Sequence, residues 1–103
     1  MAYKLTVTRH ANELLDNILH YLVYQLNSKQ AAGHLLDEIN YIYDRLEENP
    51  LQFPLSRDTY LADKGYHEAV CRQMKYTIVF SISGDIVYIA GIFHQLENYQ
   101  KKL

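Results

Sequence analysis

Apolar residues change their spacing along the chain, and each change marks the boundary of a predicted element. Apolar and polar residues alternate over positions 3–8, which is typical of a half-buried strand. Apolar residues then recur every three or four positions, which predicts a helix with Thr8 as its N-cap. The stripe of this helix consists of Ala11, Leu14, Leu15, Ile18, Leu19, Leu22 and Leu26.

A second helix is predicted after the break at LNSK, where Asn27 or Ser28 can cap it. It ends before Pro50, because the residue that precedes a proline is disfavoured in the α region. The short connection predicts an antiparallel helical hairpin, and close packing against the first helix would explain Gly33. The apolar side carries Ala31, Ala32, Leu35, Leu36, Ile39, Ile42 and Leu46, and the other side shows Asp37, Glu38, Asp44, Glu47 and Glu48.

The second half of the chain has the pattern of three strands. Residues 50–65 form the only long stretch without periodicity. YHEAVCR is a short predicted strand, and YTIVFSI places apolar residues on one face. Gly84 and Asp85 provide a tight hairpin turn, and IVYIAGIFH is apolar on both faces, as a central strand is. The final LENYQKKL fits a short helix or an extended tail.

The predicted order is strand, helix, helix, strand, strand, strand. This order indicates an α+β fold, in which an antiparallel meander carries the helical hairpin on one face and leaves its other face more open. With 103 residues the chain is expected to form a single domain, residues 1–103.

The amino-acid composition indicates the class of the protein and the compartment in which it is expected. Apolar residues make up 49% of the chain and charged residues 21%, as in a globular protein. Cys71 is the single cysteine, so no internal disulfide can form and a cytoplasmic location is expected. No signal peptide or membrane-spanning run is present, so no membrane partner is expected.

The charge of the chain argues against general binding of nucleic acid. The net charge is −2, whereas phosphate contacts need concentrated lysine and arginine. The charge is uneven, since residues 1–49 carry four basic and seven acidic residues, and residues 50–103 carry six basic and five acidic ones. A surface that meets phosphate is therefore expected in the second half.

Several strings in this order resemble the RelE/ParE superfamily of type II toxin–antitoxin toxins. They are YKLTVTRHANELLDNILHYL, AAGHLLDEINYIYDRLEENPLQFP, GYHEAV and MKYTIVFSISGDIVYIAGIFHQLENY, which together span nearly the whole chain. The resemblance implies a bacterial toxin neutralised by a cognate antitoxin, whose otherwise disordered segment wraps around the helices and the sheet. It implies no cofactor.

The resemblance leaves the target open. RelE-like toxins cleave ribosome-bound mRNA without a metal, whereas ParE-like toxins poison DNA gyrase without chemistry of their own. The first expectation is an RNA interferase that inhibits translation; the alternatives are a gyrase inhibitor and an attenuated toxin that only binds its antitoxin. Two departures weaken the RNA-cleaving interpretation. His67 occupies the position where relatives commonly carry arginine, and ribosome-directed members are typically strongly basic.

Metal-free RNA cleavage needs a base, an acid and a cation beside the phosphate. The resemblance places His94 at a position for proton transfer, Tyr99 near the family's C-terminal aromatic residue, and His67 at the arginine position. These three are the candidate catalytic residues. In the alternative interpretation, His94 merely ends a strand and Tyr99 packs the tail onto the sheet.

Four basic residues are candidate contacts to a nucleic acid or to another target: Arg72, Lys75, Arg57 and Lys64. A nucleophilic role for Cys71 is rejected, because residues four apart on a strand lie about 13 Å from each other and no orienting group is evident. The five histidines lack ligand spacing, so no metal is expected.

Overall fold

The computed structural model describes residues 3–103, so residues 1 and 2 of the expected domain lie outside the described residues. The predicted order of strands and helices is confirmed, with one addition: a short helix, α3, lies within residues 50–65, which were expected to be irregular. The elements are β1 (Lys4–Val7), α1 (Arg9–His20), α2 (Lys29–Glu48), α3 (Thr59–Asp63), β2 (His67–Cys71), β3 (Tyr76–Ser83) and β4 (Ile86–His94). Within the described part of the chain, no helix is both long and apolar enough to cross a membrane.

Side-chain caps define where the helices of the hairpin begin. The Thr8 hydroxyl accepts the Ala11 amide at 3.1 Å, and the Ser28 hydroxyl accepts the Ala31 amide at 3.1 Å. Asn27 instead adopts a left-handed conformation with φ of 51°. The first helix was expected to run to Leu26, but its regular α part ends at His20 and a π-helical turn, Tyr21–Gln25, follows.

The four strands form one sheet in the order β1-β4-β3-β2. Strands β2, β3 and β4 make the predicted antiparallel meander, and β1 pairs in parallel with β4. The β3–β4 turn occupies Gly84 and Asp85, as predicted; Gly84 has φ of 61°, a conformation that glycine adopts without steric cost. The tail forms one 3₁₀ turn, Gln100–Lys102.

The main core lies between the helical hairpin and one face of the sheet. Its side chains from α2 lie on the predicted apolar stripe, and β3 contributes alternate residues. In β4 a shift of register separates the core residues Ile89 and Ile92 by three positions. The largest fully buried side chains of this core are those of Leu35, Ile39, Leu46, Ile78, Phe80, Ile89 and Ile92, each at most 1% exposed.

The opposite face of the sheet was expected to be more open, and at its centre that expectation is wrong. Val79 and Phe93 are buried there together with Leu61 of α3. The Tyr99 ring stacks on the Phe93 ring at 4.8 Å between centroids, so the C-terminal residues cover this face. The sheet therefore has a second, smaller core.

Two glycines have opposite surroundings. A Cβ atom at Gly91 would lie 2.5 and 2.7 Å from two ring atoms of Phe93, so the absence of a side chain allows that ring to cover the strand. A Cβ atom at Gly33 would meet nothing within 4 Å. The expectation that Gly33 permits close helix packing is therefore wrong.

Cys71 and Tyr43 are ionisable groups close to the main core. Burial, followed by repulsion from Glu38, raises the pKa of the Cys71 thiol from 9.0 to about 12. Burial, followed by the charge of Cys71, raises the pKa of the Tyr43 phenol from 10.0 to about 12. Both groups are held neutral by the fold, which agrees with the rejection of Cys71 as a nucleophile.

We expect Gly91→Ala to lower the free energy of unfolding by about 1–3 kcal/mol, because the added methyl group displaces the Phe93 ring. Gly33→Ala is the matched control, and it should raise the free energy of unfolding by about 0.5–1 kcal/mol through helix propensity alone. Urea denaturation measures both changes. A Gly91→Ala protein as stable as the parent would contradict the close contact with Phe93.

Stability should fall as the pH rises from 9 toward 12. The folded state holds the Cys71 proton more tightly than the unfolded state, so this contribution is fully present below pH 9 and is lost as the pH approaches the folded pKa of about 12. Each such group contributes a slope of at most about 1.4 kcal/mol per pH unit.

Cys71→Ala should flatten the slope from pH 9 upward, and Tyr43→Phe should flatten it only above pH 10. The measurement is urea denaturation at a series of alkaline pH values, in which slopes rather than absolute stabilities are compared. Equal slopes in the parent and in Cys71→Ala would show that the thiol does not titrate in this range.

Candidate functional site

His94 ends β4 on the face of the sheet that meets α1. Its register partner on β3 is Tyr76, and the two rings meet edge to face at 5.5 Å between centroids. The imidazole Nδ1 accepts the Leu96 amide at 3.2 Å, which leaves the proton of the neutral ring on Nε2. His94 borders a cavity of about 250 Å³ between the sheet and α1, lined also by Leu14 and Ile18.

Tyr99 lies on the opposite face of the sheet, over the second core. Its ring stacks on Phe93, and its phenol donates a hydrogen bond to the carboxylate of Glu68. Burial and this hydrogen bond raise the pKa of the Tyr99 phenol, so the group does not readily give up its proton. Both the ring and the hydroxyl are therefore used to hold the tail on the sheet.

His67 begins β2 and is also held on two sides. Its Nδ1 lies 3.0 Å from the carbonyl oxygen of Phe53, to which it donates a hydrogen bond. Its ring stacks on the Phe80 ring at 5.2 Å between centroids, with 18° between the planes. These contacts anchor the loop after α2 to the start of β2.

The three candidate catalytic residues do not meet at one place. His67 pairs with Phe80 and His94 with Tyr76, positions four residues apart on β3, or about 13 Å along the strand. Tyr99 lies across the sheet from both. No single phosphate can be within hydrogen-bond reach of all three side chains in this arrangement.

Two of the candidate contact residues line the same cavity. Arg57 and Arg72 border a groove of about 510 Å³ together with Glu68. Lys75 lies in the β2–β3 turn with φ of 59°, a left-handed conformation that is uncommon for a lysine. Lys64 follows α3, and its ammonium group lies 4.6 Å from the centre of the Tyr60 ring.

A buried polar cluster around Glu68 was not anticipated from the sequence. Glu68 is 7% exposed and accepts hydrogen bonds from Tyr99 and from the Ser56 hydroxyl at 2.9 Å. Ser56 in turn accepts the Asp58 amide, and both oxygens of Asp58 accept the side-chain amide of Gln100 at 3.0 Å. One signal was available: Glu68 is the only acidic residue within any of the four strands.

The candidate residues include several ionisable side chains, but these side chains do not come together in one active site. Across residues 3–103, no group of three or more His, Cys, Asp or Glu side chains could hold a metal ion. The Glu68 cluster is satisfied internally, because its hydrogen-bond donors come from the loop before α3 and from the tail. The cluster therefore acts in the fold, where it joins both segments to β2.

Comparison with known proteins agrees with this architecture. A family model described as "ParE toxin of type II toxin-antitoxin system, parDE" matches residues 5–99. No curated protein matches the chain. A solved structure titled "Chromosomal ParDE TA system from P. aeruginosa" contains a chain that is 21% identical, and the match covers 90% of this chain and 96% of that chain with a TM-score of 0.69. At this identity, the structural likeness shows the fold.

The family model covers most of the chain, including both helices of the hairpin and all of the meander. The chain therefore belongs to the ParE family of toxins of type II toxin–antitoxin systems.

Proposed function

We propose that this toxin arrests growth by binding DNA gyrase and that it has no catalytic activity of its own. The observation that carries the proposal is the separation of His67, His94 and Tyr99. The family match also supports gyrase as the target. The matching model describes ParE toxins, and resemblance to ParE-like toxins implies gyrase, whereas resemblance to RelE-like toxins implies mRNA. As gyrase acts on the bacterial chromosome, the proposal implies a cytoplasmic toxin.

A metal-free nuclease needs its base, its acid and its cation around one scissile phosphate. In this chain His94 faces α1, and Tyr99 lies on the other face of the sheet with its proton held by Glu68. His67 occupies the position where relatives commonly carry arginine, and its ring is hydrogen-bonded to the Phe53 carbonyl. This geometry favours the alternative interpretation of these residues, in which they support the fold.

Charge supports a protein target over RNA. The net charge is −2, and the four candidate contact residues are spread over the β2–β3 turn and the segment around α3. Affinity for a nucleic acid backbone depends on several neighbouring cations that release counterions together. Arg57 and Arg72, which share one groove, remain the best-placed cations for a contact with the target.

The test is to express the toxin without its antitoxin and to follow DNA synthesis and protein synthesis separately. We expect DNA synthesis to stop first, with gyrase trapped on DNA, while mRNA stays intact. Purified toxin should inhibit supercoiling by purified gyrase. An early stop in translation with cut mRNA would overturn the proposal, and folded protein without any growth defect would indicate an attenuated toxin.

His94→Gln and Tyr99→Phe test the absence of chemistry directly. Both variants should remain toxic, because neither side chain is expected to transfer a proton. A nuclease that used either side chain as acid or base would lose about 100-fold or more of its cleavage rate. Circular dichroism and thermal unfolding must accompany these assays, since Tyr99→Phe leaves Glu68 without one donor.

A further inference from the structure

A cavity of about 620 Å³ lies between α2 and β2, and we call it the α2–β2 cavity. Sites for small molecules usually have volumes of about 300–1,000 Å³ and combine apolar walls with a few polar groups. Ile42, Phe53 and Val70 form an apolar part of the lining. The lining also includes charged side chains of both signs, namely Asp37, Glu38, Arg45 and Arg72. Both the size and the lining therefore suit a small charged molecule with an apolar part.

Glu38 contributes an unsatisfied oxygen to this lining. Its Oε1 atom is buried and has no hydrogen-bond partner within the described residues 3–103. Burial, followed by repulsion from Glu38, raises the pKa of the Cys71 thiol, so the carboxylate lies beside β2. A buried carboxylate oxygen without a donor costs free energy, and such an atom in a native protein calls for an explanation. A ligand that carries a cationic donor would supply the missing hydrogen bond.

The two arginines of the cavity differ in how they are engaged. The guanidinium of Arg45 donates to the side-chain oxygen of Gln52 at 2.9 and 3.2 Å, so it is held away from Glu38. Arg72 forms no ion pair within the part of the chain that the structure describes. Its exposed guanidinium is therefore available to an anionic group at the cavity.

These charges select a ligand that carries both signs. A ligand with a positive charge alone would satisfy Glu38 but would meet the two guanidinium groups. A carboxylate alone would suit Arg72, because a guanidinium can donate two parallel hydrogen bonds to a carboxylate, but it would leave Glu38 without a donor. A zwitterion satisfies both residues, and an apolar body can pack on Val70 and Phe53.

We propose that the α2–β2 cavity binds a free amino acid with an apolar side chain, whose ammonium group donates to Glu38 and whose carboxylate accepts from Arg72. The apolar side chain of the ligand covers Val70, Phe53 and Ile42. Such binding requires neither catalysis nor gyrase, so this site is independent of the target of the toxin.

The first experiment measures binding to the parent toxin by NMR, with L-leucine, L-isoleucine and L-phenylalanine as probes. We expect at least one probe to bind with a dissociation constant of about 1 mM or lower, and to shift the signals of Ile42 and Val70. Leu96, which is 90% exposed in the tail, is the internal control and should not shift. The absence of binding by all three probes at about 10 mM would overturn the proposal.

Matched ligands then test each charge on the parent protein. Isocaproate has the carbon skeleton of leucine without the ammonium group, and leucine methyl ester has the ammonium group with the carboxylate blocked. Both should bind at least about tenfold more weakly than L-leucine, because each loses one charge-assisted contact. Glycine should also bind at least about tenfold more weakly, because it lacks the apolar side chain. Equal affinity of L-leucine and isocaproate would rule out a role for Glu38.

Glu38→Gln and Arg72→Gln identify the two contacts from the side of the protein. Glu38→Gln should weaken the binding of L-leucine at least about tenfold and change that of isocaproate by less than about twofold. Arg72→Gln should weaken L-leucine in the same way and leave leucine methyl ester within about twofold. The matched control is Asp44→Asn, which removes an acidic charge from an exposed position of α2 and should change no affinity by more than about twofold.

The pattern of losses decides the outcome. A substitution that weakens all ligands equally would show that the side chain does not contact the charge assigned to it. Circular dichroism establishes whether each variant is folded. Because the comparison of ligands uses the parent toxin, it tests the proposal even if a variant fails to fold.

Discussion

Burial of β4 on both faces is the constraint on which the rest of the structure depends. The strand pairs with β3 on one edge and, over Ile86–Ile89, with β1 on the other. Val87, Ile89 and Ile92 pack under the helical hairpin, while Phe93 forms the centre of the second core. Both cores therefore share this single strand. A substitution that displaces β4 would alter the packing of the hairpin and of the C-terminal tail together.

The second core explains why Tyr99, one of the candidate catalytic residues, is held against the sheet. Once Phe93 lies over Gly91, the exposed side of its ring needs a cover, and Tyr99 provides it. The phenol of Tyr99 then reaches the sheet where Glu68 is buried, and a buried carboxylate needs donors. The stacking of the Tyr99 ring on Phe93 and its hydrogen bond to the Glu68 carboxylate thus stabilise the same contact. The side chain of Tyr99, a candidate for contact with an RNA substrate, is engaged within the protein.

The order of the elements could be predicted because one-sided periodicity marks both long helices, β1 and β3, and because a run that is apolar on both faces marks β4 as a central strand. α3 was missed because its five residues, Thr59–Asp63, are too few to display a stripe. Glu38 was predicted on the polar side of α2, but it lies at the margin of the apolar stripe. At that position a small rotation of the helix about its axis decides whether the side chain faces water or protein. His94 and Tyr99 are five residues apart in sequence but on opposite faces of the sheet, so spacing alone could not show whether they meet.

The parallel pairing of β1 with β4 has a consequence for the order of folding. Lys4 is matched with Ile86 and Val7 with Ile89, so the first strand to leave the ribosome pairs only with the last strand to be made. Contacts of such long sequence separation form late, because the intervening loop must first be closed. The hairpin and the meander can assemble from local contacts while β1 is still free. The sheet of a nascent toxin therefore stays incomplete until β4 has been synthesised, and this delay gives an antitoxin time to be present when the sheet closes.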